Sequence, residues 1–275
     1  MEVFLNDRFM PLGQASIPVT DLSVQRGYGI FDFFRLQENV LLYVEDHLAR
    51  FRRSADALHL PVPYTDDEMH RLIRELADRN GLQEAGIKMI LTGGASPDGW
   101  QIGKPALLLM ATPMSLPVPA QPKSVRVITH RYLRDIPEAK TINYTTGVWL
   151  QKKMKSEQAD DVIYHHDGFI TELPRCNVFI VKKDKSVVTP QPDILEGITR
   201  KRLLEIDDMN VSAARVTWQD LQEADEVFLT SSTKRIQAIV SIDGKPVGNG
   251  EPGPVTCALL GRLLKKERDY IDAHR

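Results

Sequence analysis

Apolar positions recur along this chain at helical and at strand spacings. Between residues 42 and 58 they fall at Val44, Leu48, Phe51, Ala55 and Leu58, the interval of a helix with one buried face. A second stripe, Met69, Leu72, Ile73 and Leu76, stands behind Thr65-Asp-Asp-Glu68, which has the form of a capping box. Asn80-Gly81 predicts the end of that helix, with glycine in the left-handed position. Short β-rich runs surround the two helices, at 3–5, 29–36, 40–43, 87–92 and 106–110. The first half therefore reads as an α+β unit.

Four prolines between residues 112 and 122 stiffen the chain where the pattern lapses. Beyond them, runs at 124–129 and 161–164 predict strands, and Asp167-Gly168 turns the second into a hairpin with 169–172. Another hairpin is predicted from 178–181 and 187–189 across Asp184-Lys185, a helix from Gly197-Ile198-Thr199 to 206, strands at 227–230 and 236–241, and a final helix over 256–271. The expected organisation is a small N-terminal domain (1–113), a proline-rich linker (114–122) and a larger, mixed α/β C-terminal domain (123–275).

Composition narrows the class. The 275 residues are 42% hydrophobic and 26% charged, with a formal net charge of −2, so a nucleic-acid partner is not expected. The two cysteines, Cys176 and Cys257, suit a reducing compartment better than a disulfide scaffold. No long apolar run predicts a membrane span, and a cytoplasmic enzyme is expected.

Candidate chemistry centres on Lys140, in Lys140-Thr-Ile-Asn-Tyr144, and on Glu172, in Glu172-Leu-Pro-Arg-Cys-Asn177-Val-Phe179. A lysine amine and a distant carboxylate at strand edges are what a pyridoxal-phosphate enzyme needs. The amine forms a Schiff base with the aldehyde, and the carboxylate keeps the pyridine nitrogen protonated. The glycine-rich stretch from Thr92 lacks the spacing of a dinucleotide fingerprint and reads as a loop. His165-His166-Asp167 lacks metal-ligand spacing, and adjacent strand histidines point to opposite faces. Cys176 reads as a small buried residue.

Five segments in order resemble the fold-type IV pyridoxal-phosphate enzymes, which include D-amino acid transaminases, branched-chain transaminases and aminodeoxychorismate lyases. They are Arg26-Gly-Tyr28-Gly-Ile-Phe, His47-Leu-Ala-Arg50-Phe, the Lys140 and Glu172 segments, and Ile194-Leu-Glu-Gly197-Ile198-Thr199-Arg. The resemblance implies a two-domain fold, pyridoxal 5'-phosphate as cofactor and a homodimer. It implies that Lys140 carries the Schiff base and the travelling proton, Glu172 meets the pyridine nitrogen and Tyr144 meets the phenolic oxygen. Arg50, Gly197, Ile198, Thr199, Ser232 and Thr233 are implied for the phosphate and Asn177 for the cofactor site. His47, on a nearby helical face, reads as structural support with no catalytic role.

Where the resemblance leads to an Arg-x-His pair for the substrate carboxylate, this chain has Asp98 and Trp100. The departure resembles an atypical D-amino acid transaminase. It moves attention to Arg26 and Arg175, with Tyr28 beside them, as substrate-binding candidates. The expected activity is ping-pong transfer of an amino group from a D-amino acid to a 2-oxo acid. A branched-chain L-amino acid transaminase, an aminodeoxychorismate lyase and a protein that kept the fold without the chemistry are the alternatives.

Overall fold

A computed structural model describes all 275 residues, which form two compact units. The first comprises Met1–Leu116, Ala139–Asn143 and Asp269–Arg275; the second comprises Pro117–Glu138 and Tyr144–Arg268. The segment holding Lys140 thus groups with the first unit, whereas the sequence reading placed it in the C-terminal domain.

In the first unit, strands β1 (Glu2–Leu5), β2 (Arg8–Pro11), β3 (Gly29–Gln37), β4 (Val40–Leu41), β5 (Ala85–Thr92) and β6 (Leu107–Pro113) form one sheet in the order β2-β1-β6-β5-β3-β4. Every pairing is antiparallel. Helix α2 (Val44–Ala57) packs on β3, and α3 (Asp66–Arg79) packs on β1 and β6. The Thr65 capping box forms, with Thr65 Oγ1 accepting from the Glu68 N–H and Glu68 accepting from the Thr65 N–H. Gly81 takes the left-handed conformation. The sequence reading missed β2 and α1 (Leu22–Arg26): each is too short to repeat an apolar position often enough to stand out. Arg26 is the exposed last residue of α1, capped by Gly27 at φ 64°.

The second unit contains an eleven-stranded mixed sheet. Its strands are β7 (Lys123–Arg131), β8 (Asp161–His166), β9 (Phe169–Ile170), β10 (Glu172–Leu173), β11 (Cys176–Val181), β12 (Val187–Pro190), β13 (Val211–Ala214), β14 (Val216–Thr217), β15 (Glu226–Ser231), β16 (Arg235–Ile242) and β17 (Lys245–Pro246). The main path runs β13-β12-β11-β15-β16-β7-β8-β9-β14, with β10 paired to β11 and β17 to β16. Helices α4 (Thr145–Trp149), α5 (Gln151–Ser156), α6 (Ile198–Leu204), α7 (Trp218–Glu223) and α8 (Pro254–Ala273) accompany it. All six β11 residues are buried, because both faces of the strand are covered. Val178 and Ile180 join one apolar cluster with Val227 and Leu229, while Phe179 and Val181 join another with Phe228, Leu203 and Leu260. Arg175 is exposed in the two-residue turn between β10 and β11, not on a strand. No helix is long and apolar enough to cross a membrane.

Candidate active site

Lys140 is placed by β3. On the side of that strand not taken by β5, the Phe31 N–H donates to Lys140 O (2.9 Å) and the Ile142 N–H donates to Gly29 O (3.0 Å). Gly29 is enclosed between β5 and this segment: a Cβ there would stand 2.8 Å from Leu91 O of β5 and 3.1 Å from Ile142 Cδ1. The Lys140 N–H donates to the buried Ser54 Oγ at 3.0 Å, tying the segment to α2. The half-buried Lys140 amine stands 4.6 Å from the centre of the Phe31 ring.

Beneath this segment lies a buried charged cluster. His47, Arg50 and Ser54 follow one another at helical spacing on α2, and the first two meet Asp32 of β3. Arg50 donates from Nε to Asp32 Oδ2 and from Nη2 to Asp32 Oδ1, both at 2.8 Å. His47 Nδ1 lies 2.7 Å from Asp32 Oδ1. Burial pushes the His47 pKa down, against the opposing pull of the Asp32 carboxylate. Burial pushes the Asp32 carboxyl up, but the Arg50 guanidinium and the His47 N–H outweigh it and hold the carboxyl well below the usual range. His47 therefore supports the cluster, as the sequence suggested, while Arg50 has one guanidinium edge committed to Asp32. Asp32 and Ser54 escaped the sequence reading. The available signal was a carboxylate inside the apolar run Ile30-Phe-Asp32-Phe-Phe34.

In the second unit, strand register aligns Glu172 with Asn177 and Asn177 with Thr230. Residues paired in this way share a face of the sheet. Glu172 Oε1 accepts from Arg134 Nε at 2.7 Å, and Oε2 accepts from the Leu195 N–H at 3.0 Å. Arg134 also donates to Pro137 O, which fixes the guanidinium in place. Sequence reasoning missed Arg134; nothing in its local pattern separates it from Arg131, which is exposed. Asn177 Nδ2 donates to Leu195 O at 2.7 Å. Gly197 opens α6, with Ile198 and Thr199 buried. Tyr144 is half-buried immediately before α4, Ser232 is half-buried in the β15–β16 turn, and Thr233 beside it is exposed.

The substrate candidates are less converged. Tyr28 donates its hydroxyl to Leu58 O at 2.6 Å, and burial raises its pKa. Arg26 donates to Gln25 O and is exposed, as is Arg175. Asp98 directs its carboxylate into its own loop, accepting from the N–H groups of Gln101 (2.8 Å) and Trp100 (2.9 Å), which hold it below the usual carboxylate range. Its charge is a loop device, and Trp100 is left 80% exposed. Burial pushes the Cys176 thiol up to about 11, which agrees with a packed, unreactive residue.

Each unit by itself carries side chains whose chemistry fits pyridoxal phosphate. In the first, an amine stands beside an aromatic ring; in the second, a buried carboxylate is compensated by arginine and the Thr230 hydroxyl in the Glu172–Asn177 row is buried with no hydrogen-bond partner.

Comparison with known proteins agrees. The D-alanine aminotransferase of Bacillus licheniformis is 30% identical over 266 residues, covering 93% of each chain. A putative branched-chain-amino-acid aminotransferase of Methanocaldococcus jannaschii is 29% identical, again over 93% of each. The branched-chain aminotransferase of Thermoproteus uzoniensis, solved with norvaline, superposes with a TM-score of 0.85 at 26% identity, covering 99% of this chain and 97% of that one. A T.th. branched-chain amino acid aminotransferase, complexed with N-(5'-phosphopyridoxyl)-L-glutamate, shares the fold with a TM-score of 0.87 at 24% identity, covering 97% and 93%. The profile of amino-transferase class IV matches residues 29–242, and this chain is a pyridoxal-phosphate-dependent aminotransferase of that class.

Proposed function

We propose that this aminotransferase takes its amino group from a D-amino acid and passes it to a 2-oxo acid such as pyruvate or 2-oxoglutarate, in ping-pong order. The observation that carries the reading is the 30% identity with a D-alanine aminotransferase along 93% of the chain. When bound, pyridoxal phosphate supplies an aldehyde for the amine and a ring that takes up the electron pair left at the substrate α-carbon. Lys140 provides the amine that holds it and, when freed, the base that moves the α-proton. Glu172, kept in place by Arg134, accepts from the ring nitrogen, and Tyr144 donates to the phenolic oxygen. Arg50, Gly197, Ile198, Thr199, Ser232 and Thr233 take the phosphate. Arg175 is assigned to the substrate carboxylate, since a guanidinium matches a carboxylate in two hydrogen bonds and Asp98 is already engaged. Arg26 and Tyr28 complete the substrate side.

The chain acts in the cytoplasm as a homodimer. Support for the dimer is the exposed apolar set Val19, Val24, Trp100 and Ile102, on two segments joined by the Ser96 N–H donating to Thr20 O. Sedimentation velocity should give a dimer; a monomer refutes this part. The assay for specificity mixes the holoenzyme with D-alanine, D-glutamate, L-leucine and L-valine and follows loss of the cofactor's visible absorbance. Bleaching by D-alanine or D-glutamate supports the reading. Bleaching by L-leucine and L-valine alone replaces it with the branched-chain alternative, which the Methanocaldococcus relative favours.

A further inference from the structure

We infer that Asn177 is a positioning residue: it grips the Leu195 backbone, and through that backbone sets both the Glu172 carboxylate and the turn into α6. The inference deepens the transaminase reading and rests on it for the identity of the group that Glu172 serves. It replaces the expectation that Asn177 itself touches the cofactor.

Glu172 and Asn177 are cross-strand partners in the β10–β11 hairpin, so their side chains leave the sheet on one face. The two side chains then reach the backbone of Leu195 from its opposite ends. Glu172 Oε2 accepts from the Leu195 N–H at 3.0 Å, while Asn177 Nδ2 donates to Leu195 O at 2.7 Å. Glu172 and Asn177 are each 5% exposed, so neither bond is replaced by bulk water without cost. A carboxylate alone would hold Leu195 at one point and leave it free to pivot. The amide at the other end removes that freedom, and with it the freedom of Glu172 Oε2. Arg134 fixes the remaining oxygen, so the carboxylate plane is set by two donors on two different segments.

The other end of the same amide faces Gly197. A Cβ at Gly197 would fall 2.1 Å from Asn177 Oδ1, a separation no non-bonded carbon and oxygen can hold. The residue that opens α6 is therefore a glycine because Asn177 occupies the space above it. One side chain thus fixes Leu195 through its nitrogen and bounds Gly197 through its oxygen. Sliding of the 194–197 turn would break the first contact or collide with the second.

The test uses Asn177→Asp, which keeps shape but cannot donate, and Asn177→Ala, which clears the space over Gly197. In the apo-protein, amide hydrogen exchange at Leu195 should quicken about tenfold in Asn177→Asp, the worth of one buried hydrogen bond. In the intact enzyme the apparent dissociation constant for pyridoxal phosphate, read by absorbance titration, should rise by a similar factor. Gly197→Ala should weaken cofactor binding strongly in the parent and much less in the Asn177→Ala background, because the collision is then gone. Unchanged Leu195 exchange in a folded Asn177→Asp protein overturns the inference, as does strict additivity of Gly197→Ala and Asn177→Ala. Failure of the parent to hold pyridoxal phosphate would sink the transaminase reading instead, and the exchange measurement would still decide the role of Asn177.

Discussion

Replacing Asp32 with asparagine should be among the most damaging isosteric changes in the first unit. Arg50 lies 4% exposed with two donors on Asp32 at 2.8 Å, and His47 donates to the same carboxylate at 2.7 Å. The asparagine side chain would preserve the volume, but it presents one oxygen and an amide whose hydrogens face donors. The Arg50 charge is then buried beside a neutral group. Breaking a buried pair from one side typically costs about 3–5 kcal/mol, because the remaining ion keeps its desolvation penalty. Hydrogen exchange of peptides from β3 and α2 reads that loss locally, and the cost corresponds to roughly two to four powers of ten in exchange rate. Asp32→Leu combined with Arg50→Met removes both charges and should cost less than Asp32→Asn alone. An acceleration below about tenfold in Asp32→Asn would mean that some other group compensates the Arg50 charge, which refutes Asp32 as its essential partner.

The same cluster predicts the direction of pH dependence. Burial depresses the His47 pKa, so below about 6.5 the unfolded chain binds a proton that the folded one resists, and stability falls as pH falls. Asp32, also depressed, adds to that loss below about pH 4. Melting of the apo-protein from pH 8 down to pH 4 should show the decline, and His47→Gln should flatten its upper part; identical profiles refute the assignment. Arg134→Met should leave Glu172 without its cation and weaken pyridoxal-phosphate retention by roughly ten- to a hundredfold, from about 1.5–3 kcal/mol for a charged hydrogen bond, as read by equilibrium dialysis. Gly29→Ala should strain the β3–β5 pairing, where the added Cβ would meet Leu91 O at 2.8 Å, and lower the melting temperature of the apo-protein; a variant as stable as the parent refutes the close-packing argument.

The elements that periodicity recovers are those long enough to show it. The stripes behind α2 and α3 and the Thr65 capping box are legible because each spans several turns or has a fixed offset. Helices α1, α4, α5 and α7 are five or six residues long, too short for a stripe; α1 and α7 carry side-chain N-caps, from Asp21 and Thr217. On α2 the pattern was right about Leu48 and Phe51 but blind to the polar residues beside them. His47, Arg50 and Ser54 are buried with those apolar residues because a partner on another element satisfies each.

Partnership explains the unequal legibility of the candidate site. Lys140 and Glu172 are candidates from the sequence because each stands in a run whose order along the chain is informative. Ser54 reaches Lys140 from 86 positions away and Arg134 reaches Glu172 from 38, while Asp32 acts across a helix–strand contact; no local spacing encodes any of these. Their chemistry depends on burial: a carboxylate at 0% exposure, as Asp32 is, must have a cation or donor nearby, whereas the same carboxylate in water needs neither. A sequence lists the charges without saying which are dry. Once β3 and α2 are docked, Asp32 has to meet Arg50 and His47, and once β10 pairs with β11, Glu172 and Asn177 have to share the Leu195 backbone. The supporting residues are therefore consequences of the fold's register, and register is what a single sequence leaves open.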